Sequence, residues 1–331
     1  MNKPKLICLT PVRNEAWVLH AFLQAASLWA DHIIIADQGS TDGSREIALS
    51  YPKVILIENN DPDLHETNRQ RLMLAEARKI EGEKILITLD ADEIFTADFM
   101  ETDDWQKIIH AKAGDVFQFQ WVTIDESGKF YEKFDTWFQW AFYDDGSMPS
   151  EEGKIHIARV PCPHNSEAVY HQVKDFQVIH LQYLHVRRLK SKLRYYQCFL
   201  QKEQHANVIS LFRQHYRFDE FYPKTAVPDY FFESYLRLGI NIFELIDLSE
   251  PCFWQDMRVL EYFDEKGAAY FKKLDIFDKE WLRTLSDISG KEIKDPRKWP
   301  QKLQHFYLRS TNFMQKTFLI KGMDKLLKKL T

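Results

Sequence analysis

The chain has 331 residues, of which 45% are hydrophobic and 14% are aromatic, and its formal net charge is -5. This composition is typical of a globular protein with one large core, or with a main domain and a smaller helical addition. The net charge excludes a broad cationic surface for nucleic acid, and no apolar run is long enough to span a membrane. Four dispersed cysteines show no zinc-binding or redox spacing. Because the N-terminal apolar run is too short for a signal peptide, the sequence predicts a cytoplasmic protein.

Four strands alternate with helices in the first hundred residues. The runs 5–11, 33–36, 53–60 and 84–89 predict the strands, and helical periodicity follows the first three of them. Asn14 is expected to cap the first helix. Since the strands show no polar alternation, they are expected to be buried on both faces. The pattern predicts an α/β fold with a mostly parallel, Rossmann-like sheet flanked by helices.

Polar residues follow each of the four strands. They occupy positions 10–15, 37–44, 58–61 and 90–93. In a parallel sheet the carboxyl ends of the strands and the N-termini of the following helices meet at one edge, where ligands bind. The recurrence at four strand ends therefore predicts a ligand site along this edge.

The fourth strand runs into three acids, in the stretch "ILITLDADEIF" from Ile85 to Phe95. Asp90 and Asp92 can point to the same side only if the backbone turns there, and they would then repel each other. A divalent cation that arrives with a diphosphate would relieve this repulsion. The alternative is that one acid caps a helix beginning near Ala97 and the others are solvated, although a cap needs only one acid.

Four segments of the first hundred residues together resemble the family 2 glycosyltransferases of the GT-A fold. They are "TPVRNEAWVLHAFL", "IIIADQGSTDGSREIA", "NRQRLMLAEAR" and "ILITLDADE", in this order and with the family's spacing. The resemblance implies an inverting, metal-dependent enzyme that uses a nucleotide sugar. It assigns Asp90 and Asp92 to the donor diphosphate and to Mn²⁺ or Mg²⁺, with Asp92 as the more direct metal ligand.

The resemblance also implies donor-binding residues in the preceding loops. Asp37 resembles the aspartate that accepts a hydrogen bond from the base, for which UDP is the family's commonest case, although helix capping would also explain it. Arg69 and Arg71 would meet the diphosphate, which suits a guanidinium group, but exposed helical arginines look the same. The turn that would lie along the nucleotide contains Pro11, Arg13, Asn14 and Glu15.

A histidine is expected to complete the metal site. The resemblance assigns this role to His180 in "VIHLQYLH", beside Asp90 and Asp92. A lone histidine in an apolar strand is often structural, and His185 competes for the role. The basic helix that follows could meet phosphate charge, or it could simply be a solvated face. Its candidate residues are Arg187, Arg188 and Lys192.

An inverting transfer also needs a carboxylate base within reach of the acceptor hydroxyl. The family often draws it from a Glu-Asp element well after the aspartate pair. Only "SEEGKIHIAR" is similar here, and it offers Glu151 and Glu152 as catalytic candidates. The alternative is that both are ordinary acidic residues of a loop.

The second half of the chain changes character. Strict alternation from Val116 to Val122 predicts an antiparallel or edge strand, and the turn 125–128 begins a hairpin with an aromatic-rich return. Its tryptophans 121, 137 and 140 suit an acceptor sugar ring or core packing. A last strand precedes the basic helix, and the rest is predicted to be helical. The predicted domains are a GT-A nucleotide-sugar-binding and catalytic domain over 1–190 and a C-terminal helical region over 191–331.

The final segment "FLIKGMDKLLKKL" predicts an amphipathic helix. Its apolar stripe would hold the enzyme peripherally at the inner face of an anionic membrane, where lipid-linked acceptors are found. A helix docked on its own domain has the same pattern. The stripe consists of Leu319, Met323, Leu326, Leu327 and Leu330, with lysines around it.

The sequence thus predicts transfer of a sugar from a nucleoside-diphosphate sugar to a hydroxyl of a cell-surface glycan or lipid-linked acceptor. One alternative is a haloacid-dehalogenase-like phosphatase, which also places Asp-x-Asp after an apolar strand. That motif usually sits on the first strand, with Thr or Val where Ile94 stands here. A non-catalytic nucleotide-sugar-binding protein is the second alternative.

Overall fold

The computed structural model describes residues 3–61, 65–149, 153, 157–215, 225–250 and 252–330. These residues form two compact units. The first comprises the chain up to Leu184 together with 225–249, and the second comprises 185–215 and the residues from Glu250 onward. The segment 225–249 therefore packs with the first unit, whereas the predicted boundary at residue 190 assigns it to the C-terminal region. That a catalytic domain ends at residue 190 and a helical region begins there stays a prediction.

Twelve strands and eleven α-helices are described. The strands are β1 (Lys5–Val12), β2 (His32–Asp37), β3 (Val54–Glu58), β4 (Lys84–Thr88), β5 (Glu93–Phe95), β6 (Asp115–Phe119), β7 (Trp121–Ile124), β8 (Phe130–Lys133), β9 (Phe138–Tyr143), β10 (Val169–Gln172), β11 (Val178–His180) and β12 (Thr225–Ala226). The helices are α1 (Ala16–Ser27), α2 (Ser44–Leu49), α3 (Glu66–Ala77), α4 (Asp103–Ile109), α5 (Val186–Gln204), α6 (Val208–His215), α7 (Glu233–Arg237), α8 (Trp254–Lys266), α9 (Lys279–Ser289), α10 (Trp299–Ser310) and α11 (Phe318–Leu330).

A seven-stranded sheet forms the centre of the first unit, in the order β10-β6-β9-β4-β1-β2-β3. The four predicted strands β1 to β4 are parallel to their neighbours among themselves. β9 is antiparallel to β4 and β6 and so extends the sheet beyond the parallel part. The prediction of a mostly parallel α/β sheet flanked by helices is confirmed, and the carboxyl ends of β1, β2 and β4 lie at one edge.

Both faces of β1, β2 and β4 are buried, as predicted, whereas β3 at the edge of the sheet is only half-buried. Successive side chains of a strand point to opposite faces, so β1 contributes to two cores. Leu6 and Cys8 pack in the core that contains the apolar side of α1, whereas Ile7 and Leu9 pack in the core that contains Met73 of α3. Full burial of each such aliphatic side chain stabilises the fold by about 1.5–3 kcal/mol. Helices on both faces thereby fix the sheet edge that carries the site.

A second sheet has the order β12-β8-β7-β11-β5. The predicted hairpin at 125–128 is confirmed by the antiparallel pair β7 and β8. The single strand predicted over 116–122 is divided, because β6 belongs to the large sheet and β7 to the second one, with Gln120 between them. β5 pairs with β11, and this short pairing brings the end of the acidic stretch beside the last predicted strand.

The second unit is helical. α5 is the basic helix expected near Arg187, and it packs against α6 and α8. α10 and α11 both pack against α6. Among the described residues, every helix is too short or too polar to cross a bilayer.

Two local predictions are wrong. Asn14 does not cap α1, because it lies in the left-handed region with φ 53 and Glu15 occupies the cap position. A single 3-10 turn at Phe99–Glu101 is the only helical element near Ala97 among the described residues, and no side chain caps it. β5 comes first and α4 begins only at Asp103, where Thr102 Oγ1 accepts a hydrogen bond from Trp105 N at 3.1 Å.

Candidate functional site

The loops after β1 and β2 are joined by side chains that accept backbone hydrogen bonds. Asn14 can hold its left-handed backbone because asparagine tolerates that region better than most residues. The first N–H groups of α1 are thus satisfied from the second loop, which fixes both loops at the sheet edge. The bonds run from Asn14 N to Ser40 Oγ (2.8 Å), from Glu15 N to Ser44 Oγ (2.8 Å), from Ala16 N to Asp42 Oδ2 (2.9 Å) and from Thr41 N to Asn14 Oδ1 (2.7 Å).

Asp37 ends β2 and its side chain is buried. Arg45 Nη1 donates to Asp37 Oδ2 at 2.7 Å, and Arg45 Nη2 reaches Glu58 Oε1 at 3.2 Å. The hydrogen bond to Asp37 raises the pKa of Arg45. Helix capping does not explain Asp37, because the cap position of α2 is Gly43 and the side chain that accepts from the first helical N–H is Asp42, with Ser44 N to Asp42 Oδ1 at 3.0 Å. A nucleotide base at this edge would share the carboxylate with Arg45.

The backbone turns directly after β4, as the predicted aspartate pair requires. Glu93 N donates to Asp90 O at 3.0 Å, and Asp90 N donates to Glu93 Oε2 at 2.9 Å. The register of β5 with β11 then sets Glu93 opposite His180. Asp92, one residue earlier, consequently lies beside the histidine.

Glu93 is fully buried and is the centre of an ion-pair network. Trp121 Nε1 donates to Glu93 Oε1 at 2.8 Å. The Arg159 guanidinium contacts both oxygens of Glu93 and donates to Asp90 Oδ2 at 2.8 Å. Burial raises the pKa of Glu93, while the charge of Arg159 opposes this. The third acid is therefore the buried partner of an arginine, and neither a helix cap nor a solvated charge.

Arg159 is held in place from several sides. Burial alone would lower its pKa, but Asp90 and Glu93 outweigh this and raise it, so the guanidinium stays charged. The residues before it are tied to α3, and its guanidinium lies over two indole rings, an arrangement that favours a cation. These contacts are Gln70 Nε2 to Ala158 O (3.0 Å), Ile157 N to Glu66 Oε2 (3.0 Å), and Arg159 Cζ to the ring centroids of Trp121 (5.3 Å) and Trp140 (5.0 Å).

Asp92 and His180 form the second part of the site. Asp92 Oδ2 lies 3.4 Å from His180 Nε2, and both side chains are buried. His180 Nε2 makes no hydrogen bond within the described residues, and its ring stacks on Trp121 with centroids 5.0 Å apart. A buried imidazole nitrogen left in this state beside a carboxylate oxygen fits a divalent cation. Over the described part of the chain, no three His, Cys, Asp or Glu side chains converge as ligands, and Asp90 is paired with Arg159.

The expected diphosphate residues lie on α3. Arg69 is half-buried, with Nη2 at 4.0 Å from Glu66 Oε1, and Arg71 is also half-buried. The expected catalytic acids, Glu151 and Glu152, lie outside the described residues. Gly153 is described, and its N–H donates to Thr67 Oγ1 in the first turn of α3 at 2.9 Å.

The other candidates have varied environments. Trp140 is buried and stacks on Phe138 with centroids 5.4 Å apart, so it serves the core, whereas Trp121 and Trp137 are partly exposed. In the second unit, His185 is buried against Phe253. Arg187 is exposed, Arg188 is buried and Lys192 is half-buried on α5.

The cationic partners of the acids were not identified from the sequence. Arg159 follows Glu93 by 66 residues, and Arg45 follows Asp37 by 8. A buried run of acids does require a nearby cation, which is a signal that such a partner exists. Nothing in the local pattern says which arginine provides it.

Comparison with known proteins gives one family match. Residues 8–166 match the sequence profile of Glycosyl transferase family 2. No curated protein sequence matches the chain.

Similar solved structures include glucosyl-3-phosphoglycerate synthase from Mycobacterium tuberculosis in complex with Mn²⁺, UDP and phosphoglyceric acid, with 14% identity over 36% of this chain and 43% of that chain and a TM-score of 0.28. TarS 1-349 from S. aureus is similar with 13% identity over 37% of this chain and 35% of that one and a TM-score of 0.26. 4-Diphosphocytidyl-2C-methyl-D-erythritol synthase is similar with 15% identity over 43% of this chain and 74% of that one and a TM-score of 0.29. The chain thus spans less than half the length of the first of these structures.

Proposed function

We propose that the protein is an inverting glycosyltransferase that moves a sugar from a nucleoside-diphosphate sugar to a hydroxyl group. UDP is the first candidate for the nucleotide. The match of residues 8–166 to Glycosyl transferase family 2 supports this proposal. The observation that carries the proposal is the buried pair of Asp92 Oδ2 and His180 Nε2, 3.4 Å apart at the carboxyl end of the parallel sheet. The acceptor proposed is a cell-surface glycan or a lipid-linked saccharide, and the location proposed is the cytoplasm.

The donor lies along the joined loops after β1 and β2. Asp37 accepts a hydrogen bond from the base, and the turn containing Pro11, Arg13 and Glu15 follows the nucleotide. The guanidinium groups of Arg69 and Arg71 meet the diphosphate, whose oxygens can accept paired hydrogen bonds. The fixed geometry of the two loops supports this placement, because it removes conformational freedom before the donor binds.

Mn²⁺ or Mg²⁺ is the cofactor proposed, held by Asp92 and His180 with Asp90 nearby. When bound, such a cation stabilises the negative charge of the departing diphosphate. The positive charge of Arg159 offsets the repulsion between Asp90 and Glu93. It also keeps both carboxylates from turning into the space beside Asp92 and His180. Trp121 supports both halves of the site, because its N–H bonds to Glu93 and its ring covers His180.

Transfer forms a bond from the acceptor oxygen to the anomeric carbon while the bond from that carbon to the diphosphate oxygen breaks. A carboxylate takes the proton of the attacking hydroxyl, and Glu151 or Glu152 is proposed for this role. The bond between Gly153 and Thr67 supports the assignment, because it holds the residue after these acids at the start of the helix that carries the two arginines.

Binding of the donor tests this function. We expect one class of nucleotide sugar to raise the melting temperature by roughly 2–8 °C at a hundredfold excess over Kd, and only with Mn²⁺ or Mg²⁺ present. The measurement is a thermal-shift panel of nucleotide sugars with and without metal, followed by donor hydrolysis. Asp92→Asn serves as the binding control. If no nucleotide sugar shifts the transition, or if the chain instead hydrolyses generic phosphate esters, the assignment fails in favour of the phosphatase.

Asp37→Asn is expected to raise the KM for the donor about tenfold or more while kcat changes little, since a contact to the base acts equally in the ground state and the transition state. Steady-state kinetics with varied donor measure this. Glu58→Gln is the matched control, because Glu58 is the exposed second partner of Arg45. An unchanged KM in Asp37→Asn would remove Asp37 from the donor site.

A further inference from the structure

The last two helices of the second unit expose an unusual amount of apolar surface. On α10, Trp299 and Phe306 are 74% and 68% exposed, and on α11 Phe318 is 94% exposed. Soluble monomers rarely leave large apolar side chains clustered in water, so such surfaces usually mark an interaction site. The exposed large apolar residues from 299 onward are Trp299, Leu303, Phe306, Phe313, Met314, Phe318, Leu319, Met323 and Leu326.

These residues form stripes that the packing of the helices does not use. On α10 the stripe follows the spacing i, i+4, i+7 from Trp299, while His305 and Leu308 are buried. On α11 the stripe follows the same spacing from Leu319, while Ile320 and Asp324 are buried. Residues at this spacing share one face of a helix.

Both helices are anchored through another face by a single arginine on α6. The Arg213 side chain is buried, and with its partners it ties α10, the turn after it and α11 together, so the apolar stripes are held outward by a fixed support. Tyr307 adds a bond to the same aspartate. The bonds run from Arg213 to Asp324 Oδ2 (2.9 Å), Leu308 O (2.9 Å) and Thr311 Oγ1 (2.8 Å), and from Tyr307 Oη to Asp324 Oδ1 (3.0 Å).

The charge of this segment is strongly one-sided. Residues 296–331 contain nine lysines and arginines and one acid, Asp324, in a chain whose net charge is -5. Both arginines pair with acids that precede the segment, Asp275 and Asp295, and Lys302 lies 3.7 Å from Asp295, so the remaining lysines carry the excess charge. Asp324 is buried against Arg213, and all seven lysines of the segment are exposed. The lysines are Lys298, Lys302, Lys316, Lys321, Lys325, Lys328 and Lys329.

We propose that this surface, made of the exposed faces of α10, α11 and the residues between them, docks on an anionic lipid bilayer. Aromatic and aliphatic side chains would enter the boundary between headgroups and acyl chains, and the lysines would meet anionic headgroups. A second copy of the chain is a poorer fit, because seven lysines on each copy would repel one another and protein interfaces are depleted in lysine. The inference goes beyond the sequence pattern of α11, because α10 contributes an equal stripe and because α11 buries Ile320 and Asp324 while Leu319, Met323 and Leu326 of the predicted stripe stay exposed.

Vesicle binding tests the proposal with the full chain and without any donor, so its outcome is independent of the transferase assignment. We expect the protein to sediment with vesicles of phosphatidylcholine and phosphatidylglycerol, and not with phosphatidylcholine alone. The variant K321E/K325E/K328E should bind roughly a hundredfold more weakly. L319S/M323S/L326S should also lose binding, because it removes the apolar contact while keeping the charge.

The matched control is K112E/K129E/K174E, which makes the same charge change at exposed lysines of the first unit. It should bind the vesicles nearly as tightly as the wild type, apart from the small loss that the lower net charge causes. Unchanged melting temperatures would show that the variants fold, as expected for exposed positions. Absence of binding to anionic vesicles, or equal binding by the α11 variants and the control, would overturn the proposal. So would light scattering that shows a dimer in the wild type and a monomer in L319S/M323S/L326S, since the stripe would then join two copies.

Discussion

Asp92→Ala is expected to lower kcat/KM for sugar transfer at least about a thousandfold, with donor hydrolysis lost in parallel. The physical reason is that Asp92 and His180 are the buried carboxylate and imidazole that meet at 3.4 Å, where the charge of the leaving diphosphate is to be stabilised. Because Asp92 is not part of the two apolar cores on the faces of the sheet, the melting temperature should change little. Transfer assays with and without excess chelator measure the effect.

His180→Ala and the double variant sharpen this test. If both side chains serve one cation, the second substitution should cost far less activity once the first has been made, which a double-mutant cycle detects. Asp103→Ala is the control, since this exposed aspartate lies outside the site. Near-normal activity in Asp92→Ala, or full activity in chelator, would rule out metal-assisted transfer at this position.

Arg159→Ala is expected to lower the free energy of unfolding by about 3–5 kcal/mol, because it leaves the fully buried Glu93 without its charged partner. In a unit of this size the loss corresponds to a fall of roughly 5–20 °C in melting temperature. Activity should also fall sharply, since Asp90 and Glu93 would then repel each other beside Asp92. Thermal unfolding and transfer kinetics measure the two effects separately.

The combination of Arg159→Met with Glu93→Gln should recover most of the lost stability, because replacing both charges removes the unpaired one. Lys79→Ala is the matched control. It breaks the exposed ion pair with Glu76, and such pairs contribute only about 0.2–1 kcal/mol. If Arg159→Ala is no less stable than Lys79→Ala, the network does not hold the site together.

The α/β fold was predictable because its signals are local. The apolar runs of β1, β2 and β4 record burial on both faces, although the similar run of β3 forms a half-buried edge strand. Each run ends where polar residues begin, so the strand ends and the expected ligand edge could be inferred together. The turn after β4 was also predictable, since Asp90 and Asp92 can point to the same side only if the backbone turns there. What failed locally was the start of α1. Asn14 has the right residue type for a cap, but the loop after β2 supplies the bonds that a cap would make.

The sequence alone predicted the residues of the candidate site, namely the acids after β4, the aspartate after β2 and, through the family resemblance, the histidine of the last strand. Their partners became known only from the folded chain. Glu93 meets Arg159 across 66 residues, and His180 meets Asp92 through the register of two short strands. Periodicity records whether a side chain is buried, because burial repeats with the geometry of the helix or strand. An ion pair or a strand register depends on how distant segments pack, and no local repeat encodes that.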